Sequence, residues 1–157
     1  MKGSMTGLAG EYYVLAQLTH RNLVAALTLA NAKRVDILIT NQALNKLYKV
    51  EVKTMDKPLA HEKLFGKSKF YMWVMDKKHE EISEPNLFYC FVALQGPSAR
   101  PKFFIVPSKV VSKYVKWQHE HWLSTRGKAV KDTSMRKFRI PSEDPKGYED
   151  NWAVFQK

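Results

Sequence analysis

Three residues stand where a buried strand has no ordinary use for charge. Asp36 interrupts the apolar run 35–39, and Glu51 and Lys53 interrupt 50–52 and its continuation within VDILITNQALNKLYKVEVKT, residues 35–54. Strand alternation puts Glu51 and Lys53 on one face. With residues 41–46 as a hairpin loop and Thr40 opposite Leu47, antiparallel register sets Asp36 directly across from Glu51. Directly opposed residues have Cβ atoms about 4.5–5.5 Å apart. Two carboxylates that close repel unless positive charge lies between them. Hard divalent cations such as Mg²⁺ favour carboxylate oxygens and supply that charge. An ordinary salt bridge between Lys53 and one of the acids is the competing reading. Two acids facing each other on apolar strands favour a site.

The elements around this stretch decide what else reaches it. Residues 4–19 form an amphipathic helix by pattern, capped by Ser4 or Thr6, with Leu8, Tyr12, Leu15 and Leu18 as the packing stripe. Glu11 lies beside that stripe, and Gly7 and Gly10 mark a close approach to another element. Glu11, Asp36 and Glu51 are the only acids before Lys53 in an otherwise basic segment, which points to convergence. Residues 22–29 make a first strand or prolong the helix. After Thr54 the chain reads as a loop with Lys63, Lys67 and Lys69, equally suited to phosphates or to solvent.

Further on, residues 69–75 read as a strand and 76–86 as a polar connection. Residues 87–95 are the most apolar run, hence a central strand buried on both faces. A strand at 102–106 leads to a helix from Ser108 to about Leu123, with Val111, Tyr114, Val115, Gln118 and Trp122 as its inner stripe. Residues 125–139 read as a flexible basic loop. Arg126, Lys128, Lys131, Arg136, Lys137 and Arg139 stand against one acid, Asp132, and the first five are candidate phosphate contacts. The segment FRIP is expected to add a short edge strand. The tail folds back as a helix anchored by Trp152 and Phe155.

Composition bounds the function. The chain has 157 residues, 45% hydrophobic, which suits one domain with a sizeable core, spanning 1–157. Twenty-six Lys and Arg against 15 Asp and Glu give a net charge of +11, favouring a polyanionic partner, nucleic acid first. No apolar run approaches a membrane span, no signal peptide is visible, and a cytoplasmic setting is expected. Cys90 is the only cysteine, lies in LFYCFVAL and reads as core. His119 and His121 lack the spacing of a zinc pair, and His61 reads as a surface residue. No P-loop, GxGxxG or GxSxG is present. Trp73, Trp117 and Trp122 could stack bases, but strand and helix spacing favours core.

A helix with Glu11, a strand, Asp36 in VDILI and Glu51-Val52-Lys53 in VEVKT resemble, in that order, the PD-(D/E)XK nuclease superfamily. The layout is most similar to Holliday-junction resolvases and small homing or restriction-type endonucleases. Val35 stands where the family motif has proline, a residue that coordinates nothing. The resemblance implies a restriction-endonuclease-like α/β fold, a mixed sheet flanked by helices with the site at a forked sheet edge. It implies Mg²⁺, replaceable by Mn²⁺, on Asp36, Glu51 and the backbone carbonyl of Val52, with Glu11 on a second metal or its water. Lys53 would position the attacking water or stabilise phosphate charge. The implied activity is DNA phosphodiester hydrolysis, including branched DNA, by a homo-oligomer, a dimer or tetramer. Residues 23–30 or the tail would supply its interface. The alternatives are a non-catalytic DNA-binding module on this scaffold, or a nuclease subunit active only in a larger assembly.

Overall fold

The computed structural model describes residues 2–29, 35–126 and 129–157, with side chains from residue 5 onward. Helix α1 (Lys2–His20) leads into β1 (Val24–Leu27), β2 (Ile37–Asn41) and β3 (Lys46–Met55). Then come β4 (Phe70–Asp76), β5 (Leu87–Ala93), β6 (Lys102–Pro107), α2 (Ser108–Arg126) and β7 (Met135–Pro141). Five strands form one mixed sheet in the order β1-β2-β3-β5-β6. Its one parallel pair is β3 with β5, and the other pairs are antiparallel.

Alternation along the central strands divides the apolar side chains into two cores. Val50 and Val52 of β3, Phe88, Cys90 and Val92 of β5, and Phe103 and Ile105 of β6 face α1 and the tail. Tyr89, Phe91, Ala93, Phe104 and Val106 face α2 and the remaining strands. Every residue of β5 is buried, as its unbroken apolar sequence requires of a strand covered on both faces. Cys90 is buried with it, and desolvation pushes its thiol far up.

Strands β4 and β7 do not join this sheet. They pair with each other, forming a two-stranded sheet over the α2-side core, and Phe70 of β4 also bridges to Ala60. Trp73 of β4 sits 5.0 Å from the Phe91 ring, and Phe138 of β7 stacks on Phe91 at 4.5 Å. The Trp73 indole N–H donates to the Val92 carbonyl at 2.9 Å, so burying this ring strands no donor. Residues 125–139 are therefore not one basic loop. Helix α2 runs through Arg126, and β7 takes 135–141, well beyond the short edge strand expected from FRIP.

The α1 stripe also differs from expectation. Leu8 and Tyr12 are exposed, while Gly10, Val14 and Leu18, each four residues apart, meet the sheet. A Cβ on Gly10 would lie 1.9 Å from Thr54 Oγ1 of β3, so only glycine allows this approach. On α2, Val111, Val115 and Gln118 are buried as expected, joined by Ser112 and His119, and Trp122 is only half-buried. Trp73 is core, whereas Trp117 is exposed. The tail forms a short 3-10 helix over 152–156, with Trp152 and Phe155 buried in the α1-side core. Spent on that core, these two side chains are withdrawn from any subunit interface. No described helix is long and apolar enough to cross a membrane.

Candidate active site at the fork of the central strand

Strand β3 changes partners halfway along. Its first half pairs with β2, from Asn41↔Lys46 to Ile37↔Val50, which is the register expected from the sequence with a tighter loop. From Lys49 onward its other edge pairs with β5. The β2 ladder ends at Ile37↔Val50, one step short of Asp36 and Glu51, and the Asp36 N–H donates to the Val50 carbonyl instead. Asp36 then uses its side chain where a strand would use its backbone. Its Oδ2 accepts from the Val52 N–H at 2.6 Å, satisfying a ladder donor that β2 no longer reaches.

Glu51 and Lys53 project from the far half of β3 on the face opposite Val50 and Val52. The Lys53 ammonium donates to Glu51 Oε1 at 2.6 Å. The salt bridge weighed as the ordinary reading therefore exists, but it is not the whole environment. His79, which the sequence reading passed over, brings Nε2 to 3.1 Å from the same oxygen. The other Glu51 oxygen, Oε2, is buried without a hydrogen-bond partner. Burial alone would raise the Glu51 carboxyl. The His79 hydrogen bond and the Lys53 charge outweigh it and hold the pKa at about 2.

The neighbouring acids shift the other way. Burial pushes the Asp36 carboxyl up against the lowering effect of the Val52 hydrogen bond, and the Glu51 charge adds to the rise. Glu11, held over β3 by the Gly10 contact, is raised by partial burial and then by the charge of Asp36. The three acids thus share one electrostatic neighbourhood. Among the described residues, no three His, Cys, Asp or Glu side chains close around a single point. What the arrangement offers a hard cation is a bare, buried carboxylate oxygen on Glu51 and, in the same neighbourhood, the Asp36 carboxyl, whose charge a cation would offset against the burial that pushes its pKa up. That donor chemistry fits Mg²⁺, which keeps several waters and needs few protein ligands.

The expected phosphate contacts fall into two groups. Lys63, Lys67, Lys69, Arg126 and Lys131 are exposed. Arg136 is buried: its Nε donates to Glu80 Oε1, and its Nη1 donates to the carbonyls of Thr133 and Met135. It is a strut under β7 and not available to a phosphate, a correction that follows from the β4–β7 pairing. Lys137 is half-buried, 3.5 Å from Glu62. Lys128 lies outside the described residues.

A signal for His79 was present in the sequence. Asp76 and His79 have capping-box spacing: the Asp76 side chain accepts from the backbone of the short helix Lys77–Glu80, and the His79 ring meets the Asp76 N–H. That spacing predicts a turn holding the imidazole inward, although not what the imidazole meets.

No protein-family model and no curated protein matches the chain. Among solved structures it is similar to a bacterial homing endonuclease, I-Ssp6803I. The TM-score is 0.57, covering 98% of this chain and 93% of that one at 11% identity. At that identity the likeness shows a shared fold, a nuclease-like mixed sheet with flanking helices.

Proposed function

We propose that the chain is a Mg²⁺-dependent DNA endonuclease of the PD-(D/E)XK type. The observation that carries this reading is the fork in β3. There Asp36, just before β2, accepts from the Val52 N–H, and Glu51 and Lys53 emerge from β3 with one Glu51 oxygen left bare. The fold shared with a homing endonuclease supports the same assignment, and the +11 charge supports a polyanionic substrate.

In this reading Asp36, Glu51 and the Val52 carbonyl would hold Mg²⁺, with Glu11 as a further carboxylate. A divalent cation in such a site lowers the pKa of bound water and neutralises charge on the phosphoryl oxygens. Lys53, now paired with Glu51, would turn its ammonium to a non-bridging phosphate oxygen and stabilise charge that develops in the transition state. Asp36 fixes the geometry, because the carboxylate that would meet the cation also ties down the Val52 N–H. The exposed Lys63, Lys67, Lys69, Arg126 and Lys131 orient the duplex through its phosphates. Cutting both strands takes two such sites, hence a dimer or tetramer.

Supercoiled, branched and single-stranded DNA with Mg²⁺ test the reading. Wild type cleaves at least one of them, and Lys53→Ala lowers the rate by about 10²–10³-fold, the scale of losing one transition-state donor. Asp36→Ala loses cleavage and keeps DNA binding. Equal survival of every substrate with wild type and Lys53→Ala defeats the enzyme assignment. The Lys53–Glu51 ion pair favours a second reading, a DNA-binding module whose acids serve only to close the fork. Salt-dependent binding with no Mg²⁺ heat in calorimetry would identify it.

A further inference from the structure

His79 belongs to none of the motifs that mark the site, yet it makes the most buried polar contact there. It is 2% exposed and comes from the short helix that follows β4, so it links the two-stranded sheet to β3. Its Nε2 lies 3.1 Å from Glu51 Oε1, and its ring stands edge-on to Tyr89, the residue beside Glu51 across the β3–β5 ladder. Its Nδ1 lies 3.1 Å from the Asp76 N and 2.9 Å from the Asp76 O. A neutral ring accepts from that N–H at Nδ1, and a charged ring donates to that carbonyl. In both forms the proton facing Glu51 is on Nε2; the remaining tautomer, protonated on Nδ1 alone, would set a lone pair against the Glu51 carboxylate, so the contact assigns His79 as a donor.

The pattern of oxygen use sets Glu51 apart from the acids that close two-oxygen ion pairs; Asp144 also keeps one buried oxygen bare, but it is only half-buried and takes a single backbone donor, from Glu149, on the other. Lys102 contacts both oxygens of Glu149 at 2.9 and 3.1 Å, and Arg100 contacts both of Asp150 at 3.0 and 2.9 Å. Arg139 does the same to Glu62 at 3.3 and 3.1 Å. Glu51 is more buried than any of these acids, and two donors converge on one of its oxygens while the other has none. A carboxylate that serves only as a strut gains by sharing its donors between both oxygens. Donors from two different elements on Oε1 also stop the group from rotating.

We infer that His79 is a positioning residue that fixes Glu51 by Oε1 and thereby reserves Oε2 for a divalent cation. The inference rests on the nuclease reading of Asp36, Glu51 and Lys53. His79 itself touches neither cation nor DNA. It acts as the outer hydrogen-bond partner of a ligating carboxylate, whose loss in metal sites typically costs about 10–100-fold in affinity or activity.

Two substitutions separate this role from that of a helix cap. In His79→Gln the side-chain amide reaches the place of Nε2 and can donate to Glu51. In His79→Asn the shorter amide takes the place of Nδ1 and keeps the Asp76 N–H. With the full chain, Mn²⁺ affinity is measured by calorimetry, plasmid cleavage with Mg²⁺ as kcat and KM, and melting temperature alongside. His79→Gln is expected to stay within about threefold of wild type in Mn²⁺ affinity and kcat. His79→Asn is expected to stay folded, melting below wild type because Glu51 loses a donor, and to lose about 10–100-fold in Mn²⁺ affinity and in kcat, with KM for DNA little changed. The reverse pattern, or His79→Asn indistinguishable from wild type in an active enzyme, overturns the inference and leaves the nuclease reading intact. Wild type that neither binds Mn²⁺ nor cuts DNA overturns both.

Discussion

Glu51 and Arg136 are both buried ions on neighbouring parts of the fold, and they spend their hydrogen-bonding capacity in opposite ways. Arg136 gives its guanidinium to a carboxylate and two carbonyls, closing the connection between β7 and the short helix after β4. Glu51 takes two donors on one oxygen and keeps the other bare in a place water does not reach. Leaving a buried polar atom unsatisfied is expensive, and in the nuclease reading proposed above the bare oxygen of Glu51 is the one that would meet the cation. Burial of charge does not by itself mark a site.

The largest effect that probes this contrast belongs to the strut. Arg136→Ala leaves Glu80 without its cation and should destabilise the chain by roughly 3–5 kcal/mol in urea unfolding. DNA affinity per folded molecule should be unchanged, and a selective loss of DNA binding would return Arg136 to the phosphate contacts.

Glu51→Gln comes next. Its folded pKa is depressed to about 2, so its stabilisation is complete above the ordinary carboxylate value of 4.5 and is lost as pH falls toward 2. Removing the charge at neutral pH should cost on the order of 3 kcal/mol, and the difference from wild type should vanish at the acid end of that window. A pH-independent difference would mean that packing, not charge, explains it.

Gly10→Ala tests the platform under Glu11. The added methyl meets the Thr54 side chain, and the overpacking should cost about 1–3 kcal/mol in thermal unfolding, with part restored by Thr54→Ala. No loss would show that α1 docks loosely.

Asp36→Asn should move stability the other way. Because the folded pKa is raised, the charged form burdens the fold above that pKa, and the burden lifts as pH falls through it. The metal-free variant should melt slightly higher than wild type at pH 7 while losing cleavage, and a lower melting temperature would mean the Val52 hydrogen bond needs the charge. The smallest effects belong to the exposed lysines. Lys67→Ala or Lys69→Ala should weaken DNA binding a few-fold for every sequence and lower the salt slope by about 1. A change in sequence preference would place them at base edges instead.

The sequence revealed most where partners are close along the chain. The β2–β3 register, the buried run of β5 and the start of α2 at Ser108 all follow from local pattern. It revealed least where the partner is distant. Nothing in KFYMWVM says that it pairs with residues 135–141 and not with the large sheet, so the burial of Arg136 could not be read from its basic surroundings. Leu8 and Tyr12 keep helical spacing, but which stripe turns inward was decided by the one glycine that fits against Thr54. His79 sat in a polar stretch whose capping spacing was visible and whose target was not.

The two pairings of β3 also set an order of assembly. Its bond to β2 closes a hairpin of a few residues, whereas its parallel bond to β5 waits for a long loop to close. Asp36 and Glu51, one step past the end of that hairpin, are therefore expected to come together before β5 docks. His79 reaches Glu51 only when β4 and the short helix dock over the sheet. Pulse-labelled hydrogen exchange should show amides of β2 and the first half of β3 protected before those of β5. The acids that a nuclease needs would then spend the first moments of the chain's life exposed and mutually repelling, and the last contact to form is the one that commits them.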